Sequence, residues 1–279
     1  MSGGAEAVWR SHGTDVGVAI MLRGGKITSL TGPDGHEWLA QPEGAVPCDP
    51  PHVFTEAEMC GWDECAPTID PCVLGDVSFG DHGDLWARQW ELLDGTATAC
   101  RLAVLGPRGD YRLERAATVL DRTLRLDYTV TALGGPVPWL WAAHPQFAVG
   151  PDASVDWPGR GRPVADVEAE GAPLVPWNES WSSIGTLTRG GSRKFYVDPA
   201  TSVRSADLHD DGRTLHMAWA GDLPYLGFWF DRARFARTDV IAIEPTSGYY
   251  DNLERAVRNG RVTVVAPGRH CEWSLTVTL

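Results

Sequence analysis

Lysine is scarce in this sequence: Lys26 and Lys194 are its only two, and arginine supplies the rest of the 24 basic residues. The basic residues face 37 acidic ones, which gives a formal net charge of -13. No cluster of basic residues offsets this charge locally. Because an acidic surface repels the phosphate backbone, we expect no nucleic-acid partner.

Long hydrophobic runs are missing as well. The longest apolar stretches, such as residues 16–22, are far shorter than the roughly 20 residues that cross a bilayer. The first residues carry no basic segment followed by an apolar one, which is the pattern of a signal peptide. We therefore expect a cytoplasmic protein that does not associate with membranes.

Cysteine and cofactor motifs are equally uninformative. The six cysteines are too few for a disulfide scaffold of this length, and the spacings within the cluster Cys60, Cys65 and Cys72 match no common zinc site. The sequence also lacks the P-loop, the dinucleotide-binding glycine motif, the G-x-S-x-G elbow and H-E-x-x-H. We expect reduced thiols, no metal and no cofactor.

What the sequence does contain is alternation with a period of two. In residues 123–132, every second side chain is apolar and the intervening ones are polar, which is typical of a half-buried antiparallel strand. The same reading predicts strands at 16–22, 99–105, 112–120, 215–220, 225–230, 240–244, 261–266 and 273–279. No sustained amphipathic helix is present. The pattern predicts one all-β domain over residues 1–279, a large antiparallel β-sandwich, with long loops at 41–90 and 150–195.

Two short segments each place a proton-transferring side chain at the end of an apolar strand. Glu244 follows the apolar residues 240–243, and His144 follows a run rich in tryptophan and alanine. A carboxylate at such a point is costly to bury unless it is paired or used. The alternatives are a strand-end glutamate that is exposed or paired with arginine, and a hydrogen-bonded core histidine. Together, one imidazole and one carboxylate can move protons on both sides of a neutral substrate.

Two segments of the first long loop have the composition of a ligand site. Residues 80–90 combine His82, Trp86 and Arg88, and residues 61–67 add Trp62 and Asp63, although a solvated turn is an equally good reading of the latter. Aromatic rings suit the C–H faces of sugars, but most of the 13 tryptophans can also serve the core. The candidates for stacking on a sugar are Trp62, Trp86 and Trp229.

The order of these motifs resembles a known family. His82-Gly83 with Arg88 downstream, then His144-Pro145-x-Phe147, then Glu244-Pro245 is similar to the aldose 1-epimerases (mutarotases) and to the related hexose-6-phosphate 1-epimerases. The resemblance runs from about Gly61 to the C-terminal strand. It implies a large antiparallel β-sandwich with the active site in a cleft on one sheet. Gly61-Trp-Asp-Glu64 departs from the family, whose members often have a Gly-Gly-Ile-Pro-like segment there.

The resemblance also implies roles. Glu244 would be the general base as a carboxylate, protonated His144 the general acid, and His82 and Arg88 would bind the substrate together with Asp63. The protein would then be an isomerase that interconverts the α and β anomers of a sugar. A phosphorylated sugar would require a cationic pocket, for which Arg88 with Arg160, Arg162 or Arg193 are candidates.

Other functions stay open on the same residues. They are a different acid/base reaction on this scaffold, a non-catalytic carbohydrate-binding protein, and a glycosidase pairing Asp63 or Glu64 with Glu244. The sequence leaves open whether the protein is a monomer or a homodimer.

Overall fold

Alternating sequences form strands throughout the structure, a computed structural model that describes residues 7–44, 53–57 and 59–279. The strands of the first part of the chain are β1 Val8–Arg10, β2 Gly17–Met21, β3 Ile27–Thr31, β4 Trp62–Cys65, β5 Cys72–Leu74, β6 Val77–Phe79, β7 Glu91–Gly95, β8 Ala99–Leu105, β9 Tyr111–Leu120 and β10 Thr123–Ala132. Those of the second part are β11 Val137–Trp139, β12 Ala142–Pro145, β13 Phe147–Ala148, β14 Ser154–Asp156, β15 Val164–Asp166, β16 Leu174–Val175, β17 Ser192–Val197, β18 Ser205–Asp210, β19 Arg213–Gly221, β20 Tyr225–Arg232, β21 Asp239–Thr246, β22 Thr263–Val265 and β23 His270–Thr278.

Most of these strands belong to two antiparallel sheets. The larger runs in the order β1, β2, β3, β4, β12, β21, β20, β17, β15 and β16, with β13 beside β21. The smaller runs in the order β14, β18, β19, β23, β10, β9, β8 and β7. Their facing sides share one hydrophobic core. The predicted single-domain antiparallel β-sandwich is therefore confirmed.

Helices contribute little to the described part of the chain. One α-helix spans Leu253–Arg258, where Asn252 caps its start by accepting a hydrogen bond from the Arg255 amide at 2.9 Å. Short 3-10 turns lie at Phe54–Glu56, Glu179–Ser182 and Ile184–Thr186. None of the helices described is long and apolar enough to span a membrane.

The predicted long loops contain strands that matter for the site. Alternation predicts the long strands correctly, but β4 lies inside 41–90 and most of β17 lies inside 150–195. Neither strand has the simple apolar–polar alternation that is expected when one face is exposed to solvent. All four side chains of β4 are buried, because polar residues on both its faces have partners inside the protein.

Residues 61–67 are therefore not a solvated turn. Glu64 points into the core between the sheets, where Oε1 accepts from Arg115 of β9 at 2.5 Å and from the Tyr128 hydroxyl at 2.8 Å. The Trp141 indole donates to Oε2 at 2.8 Å. Arg115 and Glu64 have fully buried side chains, so this ion pair joins the two sheets from within.

Candidate active site

The outer face of the large sheet carries one cross-strand row of residues. Asp63 of β4 lies opposite His144 of β12, and Glu244 of β21 lies opposite Gly227 of β20, which in turn lies opposite Tyr196 of β17. Strand β12 pairs with β21 through Ala142 and Thr246, and the same antiparallel register brings His144 opposite Glu244. The pleat makes this arrangement possible, because alternate residues of a strand point to opposite faces.

Within that row, His144 and Glu244 form a close pair. Nε2 of His144 lies 4.0 Å from Oε1 of Glu244. The whole residues are 4% and 0% exposed. Neither Oε1 of Glu244 nor Nδ1 of His144 has a hydrogen-bond partner among the described residues. A buried carboxylate oxygen without a partner is costly, which is typical of a group that is completed by a ligand.

Lys194 of β17 is part of the site although the sequence motifs did not indicate it. Its ammonium donates a short hydrogen bond to Oε2 of Glu244 and lies 3.1 Å from Oδ1 of Asp251. The Tyr196 hydroxyl donates to the same Asp251 oxygen at 2.7 Å. The sequence did offer one indication, which is that lysine is rare. Both lysines of this chain are buried on this face of the sheet, and Lys26 bonds Asp63 at 2.7 Å.

Burial shifts the pKa values of both Glu244 and His144. Burial raises the pKa of Glu244 to about 7, although the ammonium of Lys194 opposes the rise. Burial, together with the positive charges of His82, Lys194 and Lys26, lowers the pKa of His144 well below its usual value. Both shifts favour the neutral forms of the two side chains, because desolvation outweighs their mutual attraction.

A cavity of about 640 Å³ opens at His144 and Lys194, whereas Glu244, which contacts both, is fully buried and does not line it. His82, His144, Trp229, Lys194 and Asp251 line it. The His82 ring stacks on Phe54 with centroids 3.7 Å apart, and its Nδ1 lies 2.9 Å from Oδ1 of Asp81. The ring of His144 lies 5.3 Å from that of His82 and 5.5 Å from that of Trp229. Three predicted site residues therefore meet in one aromatic-walled cavity, with Glu244 bonded to its lysine.

Two of the predicted tryptophans and Asp63 also do not line this cavity. Trp62 is fully buried on the core side of β4, edge-on to Phe147. Asp63 faces the correct side of the sheet, but Lys26 occupies its Oδ2. Trp86 packs edge-on against Phe54 and donates its indole N–H to the Asp81 carbonyl, so it supports the wall.

The arginines proposed for a phosphate also lie elsewhere. Arg88 is not among the residues lining the cavity, and its backbone carbonyl accepts a hydrogen bond from Gly24. Arg193 points to the other side of β17, over the Trp181 ring at 5.3 Å. Arg160 pairs with Asp156 at 3.4 Å, and Arg162 does not line the cavity either.

The cysteines do not converge. Cys60 lies in one apolar cluster, while Cys65 and Cys72 contribute to another. In the part of the chain that the structure describes, no three His, Cys, Asp or Glu side chains come together as a metal site would require.

Comparison with known proteins supports the fold alone. No family model matches the sequence, and no curated protein matches it. A solved structure of a candidate aldose 1-epimerase from Escherichia coli K12 is similar at a TM-score of 0.74 and 15% identity, covering 98% of this chain and 99% of that one.

Two further solved structures are similar to this chain in fold. A galactose mutarotase related enzyme from Lactobacillus acidophilus gives a TM-score of 0.70 at 13% identity, covering 98% of this chain and 97% of that one. A galactose mutarotase-like protein from Lactobacillus casei ATCC 334 gives 0.69 at 16% identity, covering 98% and 99%. The chain has the galactose mutarotase-like fold, as the motif order indicates.

Proposed function

We propose that the protein is an aldose 1-epimerase that interconverts the α and β anomers of a free aldose. The observation that carries the proposal is the buried His144–Glu244 pair, 4.0 Å apart, whose histidine lines an aromatic-walled cavity. Anomerisation acts on two oxygens, the C1 hydroxyl and the ring oxygen, which are both bonded to C1. An acid and a base that serve both at once must lie side by side, as these two groups do.

The proposed mechanism uses one proton transfer at each oxygen. Glu244 takes the proton of the C1 hydroxyl while His144 gives a proton to the ring oxygen, and the bond between C1 and the ring oxygen breaks. The resulting aldehyde turns about the C1–C2 bond. The ring then closes on the other face of C1 with the proton transfers reversed, so electrons and protons balance without any co-reactant.

The pair needs to hold one proton in total. Burial favours the neutral form of the pair, in which the proton is on Glu244. When a sugar binds, the proton can move to His144, which gives the ionised form. Both forms contain one acid and one base. Strongly interacting groups titrate as a pair, so the pH dependence reports the one-proton state rather than either residue alone.

This proton count predicts the pH profile. Glu244 sets the upper limit of the one-proton state at about pH 7, and His144 sets a lower limit well below 6.5. We expect kcat/KM to be level below pH 7 and to fall about tenfold per pH unit above it. Polarimetry over pH 4.5–9, with the spontaneous rate subtracted, measures this. A rate that stays constant up to pH 8.5 would contradict the assignment.

Charge around the cavity favours an unphosphorylated sugar. Its lining has four carboxylates against two permanent cations, and these are Asp70, Asp81, Glu168 and Asp251 against Lys194 and Arg234. Lys194 is already held by two carboxylates, and Arg234 bonds the Ser192 hydroxyl at 2.9 Å. A phosphate dianion would meet net repulsion here.

The proposal is tested by following anomerisation of freshly dissolved α-anomers by polarimetry and NMR. The panel contains D-glucose, D-galactose, D-xylose and the 6-phosphates of the two hexoses. Catalysis of a free aldose above the spontaneous rate supports the proposal, and a preference for the phosphates would favour the hexose-6-phosphate alternative. Sugar binding without any turnover would contradict the proposal and favour a carbohydrate-binding protein.

His82 is proposed to bind the substrate rather than to move protons. Its ring is fixed by Phe54 and Asp81 at the wall of the cavity. Replacement by alanine is expected to raise KM about 10-fold or more while kcat changes less, because a hydrogen bond to the sugar is lost in ground and transition states alike. Initial rates over a range of sugar concentrations separate the two constants. A large fall in kcat at unchanged KM would instead place His82 in the proton-transfer step.

A further inference from the structure

We infer, within the function proposed above, that Lys194 is a positioning residue for the base. Its ammonium, anchored by Asp251, binds one oxygen of Glu244 and thereby leaves the other facing His144, which lines the cavity. The motifs that indicate Glu244 and His144 say nothing of this lysine.

The anchor of the lysine is itself held firmly. Oδ1 of Asp251 accepts from the Tyr196 hydroxyl, and its backbone carbonyl accepts from the amides of Ile69 at 2.9 Å and Asp70 at 2.7 Å. Lys194 is 9% exposed, so its charge has little water to solvate it. The ammonium consequently has a fixed place between two carboxylates rather than a range of positions.

Gly227 leaves room for the Tyr196 ring, whose hydroxyl holds Asp251. It stands in the row between Glu244 and Tyr196, and a Cβ there would lie 3.1 Å from Cζ of Tyr196 and 3.5 Å from Oε2 of Glu244. Lys194 reaches Oε2 from the neighbouring position of β17, where its backbone pairs with Trp229. The glycine therefore supports the lysine indirectly, because it accommodates the tyrosine that holds the lysine's anchor.

The geometry has two consequences for the base. A carboxylate free to rotate would present either oxygen to the sugar, whereas one bound through Oε2 presents Oε1 alone. The ammonium also favours the ionised carboxylate, which burial and Asp251 disfavour. The titratable groups that face Glu244 from the elements around it are His144, Cys65, Lys194, Tyr196 and Asp251.

The same contacts exclude a nucleophilic role for the lysine. Attack on the open-chain aldehyde to form an imine requires the neutral amine. Asp251 and Glu244 instead raise the pKa of Lys194 above its ordinary value, so the amine stays protonated. Reduction with borohydride during turnover of D-galactose is expected to leave no sugar attached to the protein, as mass spectrometry would show.

The test compares Lys194→Met with Lys194→Arg and with the matched variant Lys26→Met. The last removes the other buried ammonium on this face, whose partner is Asp63 rather than Glu244. Glu244 is titrated directly by ¹³C NMR of protein labelled at the glutamate side-chain carboxyl, with its signal identified by loss in Glu244→Gln. The pH profile of kcat is measured beside it, so the carboxylate is followed whether or not the protein turns over.

We expect Lys194→Met to raise the Glu244 titration midpoint by about one to three pH units, because a close opposite charge is lost. The upper limb of the pH profile should move with it, and kcat should fall about 10- to 100-fold from the freed carboxylate. Lys194→Arg should keep the midpoint near that of the wild type, and Lys26→Met should move it much less than Lys194→Met does, because Lys26 does not contact Glu244. Asp251→Asn should move it the opposite way, downward, because Asp251 raises it.

A midpoint that does not move in Lys194→Met, or that moves equally in Lys26→Met, would overturn the inference. An imine trapped on Lys194 would overturn it too. If the midpoint moves as expected while no aldose is turned over, the proposed function fails and the lysine's hold on the carboxylate stands. Should Lys194→Met not fold, Lys194→Gln is measured in its place, and because it also lacks the charge, a midpoint that does not rise in it would overturn the inference.

Discussion

Glu244→Gln is expected to lower kcat for anomerisation by about 10²- to 10⁴-fold, which is the usual contribution of a positioned acid or base. Glutamine keeps the size of the side chain, and its amide oxygen can still accept from Lys194 where Oε2 of Glu244 now does. What is lost is the ability to take a proton from the C1 hydroxyl. KM should change little, because His82 and the aromatic walls are untouched.

The control for this variant lies on the same strand. Asp239→Asn makes the same carboxylate-to-amide change at the other end of β21, where Asp239 pairs with Arg232 at 3.6 Å and does not line the cavity. Its kcat should equal that of the wild type. His144→Asn should lose as much as Glu244→Gln, and the double variant little more, because the two groups act as a unit. Full activity in either single variant would remove the proposed roles.

The fold could be predicted well from the sequence because the longest strands have one buried and one solvent-exposed face, which produces a clear apolar–polar alternation. Residues 123–132 read as a strand by alternation alone and form β10. The same logic placed Glu244 in an apolar strand, although β21 continues past it to Thr246. The motif order placed His144 with it, and the structure brings the two side chains together.

The remaining site residues depend on long-range pairing that no local pattern reports. Trp62 and Asp63 looked alike in sequence, as loop residues near a cavity. In β4 they point to opposite sides of the sheet, so that Trp62 enters the core and Asp63 meets Lys26. The sequence motifs did not indicate Lys194, because its two carboxylate partners are far away in sequence. One lies in β21 and the other in the loop that follows it. The downward shift of the His144 pKa could not be predicted either, because burial cannot be read from one sequence.

Arg115→Met is expected to lower the free energy of unfolding by about 3–5 kcal/mol, the usual cost of leaving one partner of a buried ion pair alone. Arg115 of β9 is fully buried and bonds Glu64 and the Gly25 carbonyl, each at 2.5 Å. Methionine fills much of the volume but leaves the Glu64 carboxylate between the sheets with only two neutral donors. Urea unfolding followed by tryptophan fluorescence measures the change.

Two further variants separate the charge from the packing. Adding Glu64→Gln to Arg115→Met should recover part of the loss, because no uncompensated charge is then buried. Arg112→Met, on the same strand, breaks a partly exposed pair with Glu114 and should cost less than about 1 kcal/mol. A single-variant loss as small as that of Arg112→Met would show that the ion pair is dispensable. Glu64 is adjacent to Asp63 in β4, and Asp63 lies opposite His144 in β12, so the ion pair that joins the two sheets is held by the strand that borders the His144 strand.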